Sequence, residues 1–374
     1  MNLKILQMKT ISYKMLFLIA LIPSMIFCSN NPDPSGFNGK HSKEKKVTKE
    51  FKVAADDLLK IENSYGNIDI STWDQNTVRI EVFIKTNGDD EQKVQEKLDE
   101  INIEFNQNSA GVSAKTHFSK ETSSWWSVLF GNSSNVNMEI NYIIKAPVTN
   151  NVELNNDYGN IYLDKLTGNS KINCDYGKID IGELHGNNNT LNFDYSRNSH
   201  FGYIKKATIN ADYSEFTIDD AEIIDINADY TTSILKKVEL LKFNCDYGSM
   251  TVGKVKKISG TGDYLNTKIG QVFQSADLKA DYGSLAIDKI VKGAGNVNIS
   301  SDYAGIKIGY DSGHPFRFSI NSSYGNVKGI ENFEVSKQNQ SSTDKSYMGY
   351  HINDSNSSNI VINSNYANIS FQQK

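Results

Sequence analysis

The sequence predicts an all-β protein: a parallel β-helix, or β-solenoid, with coils of about 17–21 residues, one short N-terminal helix and a hairpin insertion. Three observations predict it. Tyrosines recur in register at Tyr158, Tyr176, Tyr195, Tyr213, Tyr230, Tyr247, Tyr264, Tyr282, Tyr303, Tyr324 and Tyr366. Their steps are 18, 19, 18, 17, 17, 17, 18, 21, 21 and 42 residues, the last worth two coils. Around each tyrosine apolar and polar residues alternate with period two, the pattern of strands. With 19 tyrosines and 26 glycines but only 5 prolines in 374 residues, the composition suits short strands and many turns.

The unit reads apolar-Asn-x-Asp-Tyr-Gly-x-apolar-x-apolar, as in "INCDYGKIDI" (172–181) and "FNCDYGSMTV" (243–252), with an earlier copy, "IENSYGNIDI", at 61–70. So short a unit cannot bury its apolar face alone, but stacked copies can, each strand pairing with its equivalent one coil on. Coils would rise by about 4.8 Å each.

Parity then assigns faces. Four residues before the tyrosine stands a large apolar residue, such as Ile172, Ile226 or Phe243. Two before it stands a small one, such as Cys174, Ala211, Ala228 or Ala280. The tyrosine shares their side of an extended strand, so it is expected to point inward and stack as a buried ladder. Asparagine and aspartate are expected to face out.

Nine successive units carry the aspartate: Asp157, Asp175, Asp194, Asp212, Asp229, Asp246, Asp263, Asp281 and Asp302. Its expected role is turn formation, the carboxylate accepting the backbone N–H two residues on. A row of calcium ions is the alternative. The asparagines, Asn155 to Asn244, are expected to hydrogen-bond along the stack.

Residues 1–28 read as an export signal, with Lys4, Lys9 and Lys14 before the apolar run Met15–Phe27. Either it is an ordinary secretory signal or, in an arrangement resembling a bacterial lipoprotein, Cys28 is lipidated and anchors the chain to a membrane. Residues 29–50 read as a polar linker. Residues 51–150 form an N-terminal β region holding a helix at 89–101, where Val94, Leu98 and Ile101 recur at helical spacing, expected to cap the stack. The same region holds an aromatic loop at 117–135, whose Trp125, Trp126 and Phe130 are the candidate interaction residues if they stand on an exposed tip. The repeat solenoid fills 151–374, interrupted by a polar loop at 336–359. The two cysteines outside the signal, Cys174 and Cys245, fall four coils apart and are expected to be free.

From Val136 onward, "VNMEINYIIKAPVTNNVELNNDYGNIYLDKL" and the units after it resemble the bacterial putative-adhesin family of exported β-solenoid domains. The resemblance implies a scaffold for surface adhesion and supplies no ligand residues. The expected function is a non-enzymatic, adhesin-like module of the cell envelope, at the surface or on the periplasmic face of an outer membrane. Its expected partner is a surface protein, a glycan or another copy of itself. The first alternative is a structural or stress-sensing periplasmic lipoprotein. The remote one is a polysaccharide-acting β-helix enzyme. A net charge of -5 argues against nucleic acid. Six scattered histidines and the lack of nucleophile, phosphate-loop or metal motifs argue against catalysis and against a cofactor.

Overall fold

A computed structural model describes residues 37–119, 136–354 and 358–374. Among them the chain is nearly all β, with one α-helix (Glu91–Glu100) and one 3-10 turn (Ile330–Asn332). The strands form a long, unclosed, mostly parallel sheet.

Each repeat contributes one strand before its tyrosine and one after it, and the two kinds pair in separate rows. In the first row Ile209 pairs with Ile226 and Ile226 with Phe243. In the second row Phe201, Ile218, Leu235, Val252 and Ile269 follow one another in register. Equivalent residues thus stand side by side, and their alternation lets every other one point inward. Leu154, Ile172, Leu191, Ile209 and Ile226 from the first row and Ile161, Ile179, Ile218 and Leu235 from the second are fully buried. Burying each such side chain contributes about 1.5–3 kcal/mol. The small residues two before the tyrosine are also interior, as expected: Cys174, Ala211, Ala228 and Cys245 are all buried.

At the N-terminal end the pairing turns antiparallel. Thr77–Gly88 lies between His41–Lys52 and Val136–Pro147, and Ile101–Asn108 pairs with Gly111–Phe118. The helix starts where Asp90 accepts hydrogen bonds from the N–H groups of Gln92 and Lys93. It buries Val94 and Leu98 and packs against Thr77–Gly88 and His41–Lys52.

The structure corrects the expected polar linker and the expected polar loop. The C-terminal part of the polar 29–50 segment is the edge strand His41–Lys52, which half-buries Val47 and Phe51. Its lysines 43, 45, 46, 49 and 52 suit an edge that must not recruit further strands. The strands flanking residues 120–135 do not pair with each other, because Gly111–Phe118 joins the first row and Val136–Pro147 the second. The expected hairpin insertion lies largely outside the described residues. The expected polar loop at 336–359 belongs largely to a hairpin, in which Glu334–Gln340 pairs with Asp344–His351.

The order of the last repeats differs too. Asn359–Asn365, which precedes Tyr366, lies between Val297–Asp302 and Phe316–Ser323. The final repeat is thus threaded between the Tyr303 and Tyr324 repeats rather than closing the stack.

Candidate functional site: the tyrosine ladder

Each repeat tyrosine turns the corner between the two rows. From Tyr65 to Tyr366 every one has a left-handed backbone, with φ between 50° and 64°. An L-residue pays about 1–2 kcal/mol for that conformation. From Tyr65 to Tyr282 the corner holds because the tyrosine N–H donates to the aspartate carbonyl of the neighbouring repeat, as Tyr213 does to Asp229 at 3.0 Å and Tyr230 to Asp246 at 2.9 Å. The next residue turns inward. Where it is Gly159, a Cβ would lie 1.9 Å from the Gly66 carbonyl oxygen. Where it is Thr231, the hydroxyl is buried and donates to the Ala211 carbonyl at 2.8 Å.

This corner overturns the expected inward tyrosine. A left-handed residue breaks the extended parity, so its side chain swings out while the residue after it and the one two before it, such as Thr231 and Ala228, face the core. From Tyr158 to Tyr366 the rings are 41–60% exposed.

The rings still form a ladder, on the outside. Tyr213 and Tyr230 stack with centroids 4.8 Å apart and planes 1° apart, and Tyr230 and Tyr247 at 4.8 Å and 4°. The stack runs from Tyr65, 5.6 Å from Tyr158 and met edge-on by Phe118, to Tyr324, 4.8 Å from Tyr366. Stacked rings cover each other's faces, so the ladder presents ring edges and hydroxyls. Burial of the Tyr213 ring, then the adjacent Tyr230 and Tyr195, raise its hydroxyl above the usual phenol range. It therefore stays a neutral donor and acceptor at physiological pH.

Beside the ladder runs the aspartate row, outward as expected but with a different bonding role. Asp194 Oδ1 accepts the N–H of Asp212 at 2.9 Å, and Asp212 Oδ1 that of Asp229 at 2.9 Å. These carboxylates thus bond the next repeat rather than a residue two along their own turn. The corner explains this, because the aspartate N–H needs an acceptor that the distorted ladder does not supply. Burial, then neighbouring carboxylates, push Asp157 and Asp263 above the usual carboxylate range. Among the described residues no group of three or more His, Cys, Asp and Glu is placed to hold a metal ion.

The asparagine row bonds as expected, Asn192 donating to Asn173 at 2.7 Å and Asn210 to Asn192 at 2.7 Å. Asparagine and aspartate rows line a shallow open hollow of about 630 Å³, followed by one of about 730 Å³ beside Lys242, Asn244, Thr261 and Lys279. Other parts of the surface pair opposite charges between repeats, as Lys236 does with Asp219 and Lys237 with Asp220, each at 2.7 Å.

Cys174 and Cys245 are free and buried, and burial pushes both thiols up to about 12. Cys28 and the candidate interaction residues Trp125, Trp126 and Phe130 lie outside the described residues. His314 and His351, scattered in sequence, come together: both are buried, and His351 Nδ1 lies 2.8 Å from the His314 carbonyl oxygen. Spacing could not reveal that pair, because the antiparallel pairing of Phe316–Ser323 with Asp344–His351 brings it together.

No protein-family model matches the chain, and no curated protein matches it in sequence. Solved structures similar to it include a putative cell adhesion protein from Clostridium sporogenes ATCC 15579. There the identity is 9% and the TM-score 0.20, over 89% of this chain and 100% of the other. A putative adhesin from Bacteroides fragilis NCTC 9343 has 9% identity and a TM-score of 0.28, over 88% and 97%. A putative lipid binding protein from Parabacteroides distasonis ATCC 8503 has 12% identity and a TM-score of 0.30, over 87% and 96%. Likenesses of this strength decide nothing about the ligand.

Proposed function

We propose that this protein is a non-enzymatic, exported, adhesin-like interaction module of the cell envelope, built as a rigid parallel β-solenoid. The observation that carries the reading is the continuous outer ladder of tyrosine edges with its flanking aspartate and asparagine rows. Identical hydrogen-bonding groups recur there at the strand spacing, about 4.8 Å. Catalysis needs two groups in contrasting environments, which such uniformity does not supply. A repeating partner, a surface glycan or protein, gains from many equal contacts held at fixed spacing. Tyrosine suits that role, since it offers rigid contact area and a polar tip. Residues 1–28 supply the export signal, with Cys28 as the proposed lipid anchor.

The test has two arms. Protease applied to intact cells should cleave the protein; cleavage only after the outer membrane is broken would favour the periplasmic scaffold instead. Beads coated with the protein should bind cell-surface material. That binding should fall at least tenfold with Tyr213→Ala, Tyr230→Ala and Tyr247→Ala combined, in a variant whose circular dichroism is unchanged. Undiminished binding there, with loss on Trp125→Ala and Trp126→Ala, would move the site to the aromatic loop.

A further inference from the structure

The seam between the Tyr303 repeat and the threaded final repeat differs from the others in three ways. The first is connectivity. From Tyr158 to Tyr303 each repeat is followed in the chain by its neighbour in the stack. After Tyr310 the chain passes over one slot and builds the Tyr324 repeat and the hairpin. Only then does it return to fill that slot with Asn359–Asn365 and Ile369–Gln373. The described residues of 316–374 therefore form a unit whose own strands pair with each other, and whose pairing with the body runs through Val297–Asp302 and Gly305–Tyr310.

The second difference is the interior. Two residues before the tyrosine, earlier repeats carry Cys174, Ala211, Ala228, Cys245 and Ala280, whereas the last three carry Ser301, Ser364 and Ser322. These serines are register partners, and all three are buried. Ser301 donates to the Ala304 carbonyl at 2.6 Å, but the hydroxyls of Ser322 and Ser364 have no hydrogen-bond partner among the described residues. Buried unpaired hydroxyls make this the least favourable stretch of the small-residue row.

The third is the latch. His314, one residue before Pro315 in the connection, is buried. Its Nδ1 accepts from Gly293 N–H at 3.4 Å, and its Nε2 lies 3.3 Å from Ser358 Oγ, which donates to the Gly295 carbonyl at 2.6 Å. That network fits a neutral imidazole carrying its proton on Nε2; a second proton on Nδ1 would face the Gly293 donor. Around it stand His351, Asp311, which is paired with Lys289 at 2.7 Å, and Lys292 beside Gly313.

We propose that the unit 316–374 is exchangeable between two copies of this chain, each copy's final repeat docking on the other's Tyr303 repeat about a hinge at 311–315. The partner surface is identical to the native one, so exchange creates no mismatched contact and needs only the seam to open. Acid opens it by protonating the latch. This inference does not depend on what the ladder binds.

The experiment mixes isotopically light and heavy full-length protein at high concentration, holds it at pH 5, returns it to pH 7.5 and weighs the products by native mass spectrometry. Mixed light–heavy dimers are expected, in a fraction at least fivefold lower with Ser364→Ala, which removes the unpaired hydroxyl facing the Tyr303 repeat. In a Ser301→Cys, Ser364→Cys variant, oxidation should link residues 301 and 364 within one chain in the monomer and between chains in the dimer. Absence of mixed dimers in both the native protein and the cysteine variant, or dimers whose 301–364 links all lie within one chain, would overturn the proposal.

Discussion

Tyr303 and Tyr366 stack with ring centroids 4.7 Å apart and planes 3° apart, although the chain builds the Tyr324 repeat between them. The ladder is therefore continuous in space where it is discontinuous in sequence. Removing residues 358–374 would leave Phe316–Ser323 without its parallel partner Asn359–Asn365. Because stacked repeats draw stability from their neighbours, hydrogen exchange in 316–323 is expected to accelerate at least a hundredfold. Protection across 215–263 should persist. Equal loss in both regions would show that the stack melts as one unit.

At Tyr230 two effects oppose each other. Replacement by alanine removes two stacked neighbours, Tyr213 and Tyr247, at about 0.5–1.5 kcal/mol each. Replacement by glycine removes the same contacts but relieves the left-handed backbone, φ 55°, and is expected to cost about 1 kcal/mol less than alanine. Chemical denaturation of the two variants decides it. A larger loss for glycine would mean the corner is not strained.

Asp194 offers a charge test. Burial raises its carboxyl first, and the Asp175 charge adds to that, while the Asp212 N–H it accepts pulls it back. A raised folded-state acid favours folding in its protonated form, so its unfavourable contribution at neutral pH is relieved as pH falls through the folded value. Asp194→Asn keeps an acceptor for Asp212 N–H and removes the charge, so it should be neutral or stabilising at pH 7. Asp194→Ala leaves that donor unpaired and should cost about 1 kcal/mol. Equal losses for both would show that the charge itself is favourable.

His314 runs the other way. Burial lowers it first, and His351 adds to that. A base lowered on folding contributes stability that is present above its ordinary value of 6.5 and lost as pH falls below it. The melting temperature is expected to decline as pH drops from 6.5 to 5, and His314→Asn should flatten that slope. An unchanged slope in the variant would place the acid sensitivity elsewhere.

Cys174 and Cys245, with thiols pushed up to about 12, should resist alkylation in the folded protein at pH 8 and react on unfolding. Rapid labelling of native protein would contradict their burial.

Much of this architecture is legible in the sequence, for a physical reason. Extended strands impose a strict two-residue alternation, so Ile172, Cys174, Ile226 and Ala228 announce a buried face, and the near-constant spacing of the tyrosines announces stacked repeats. The asparagine row follows from the same register. The side on which the tyrosines lie was decided only in three dimensions. Parity holds while the backbone stays extended, and a single left-handed residue resets it without leaving a mark in the apolar pattern. The place of the Tyr366 repeat was also beyond the sequence. Repeats that match one another present equivalent edges, so the slot beside Tyr303 accepts the next repeat or the last, and tertiary pairing alone selects between them. His314, Ser358 and His351 meet only because of that choice.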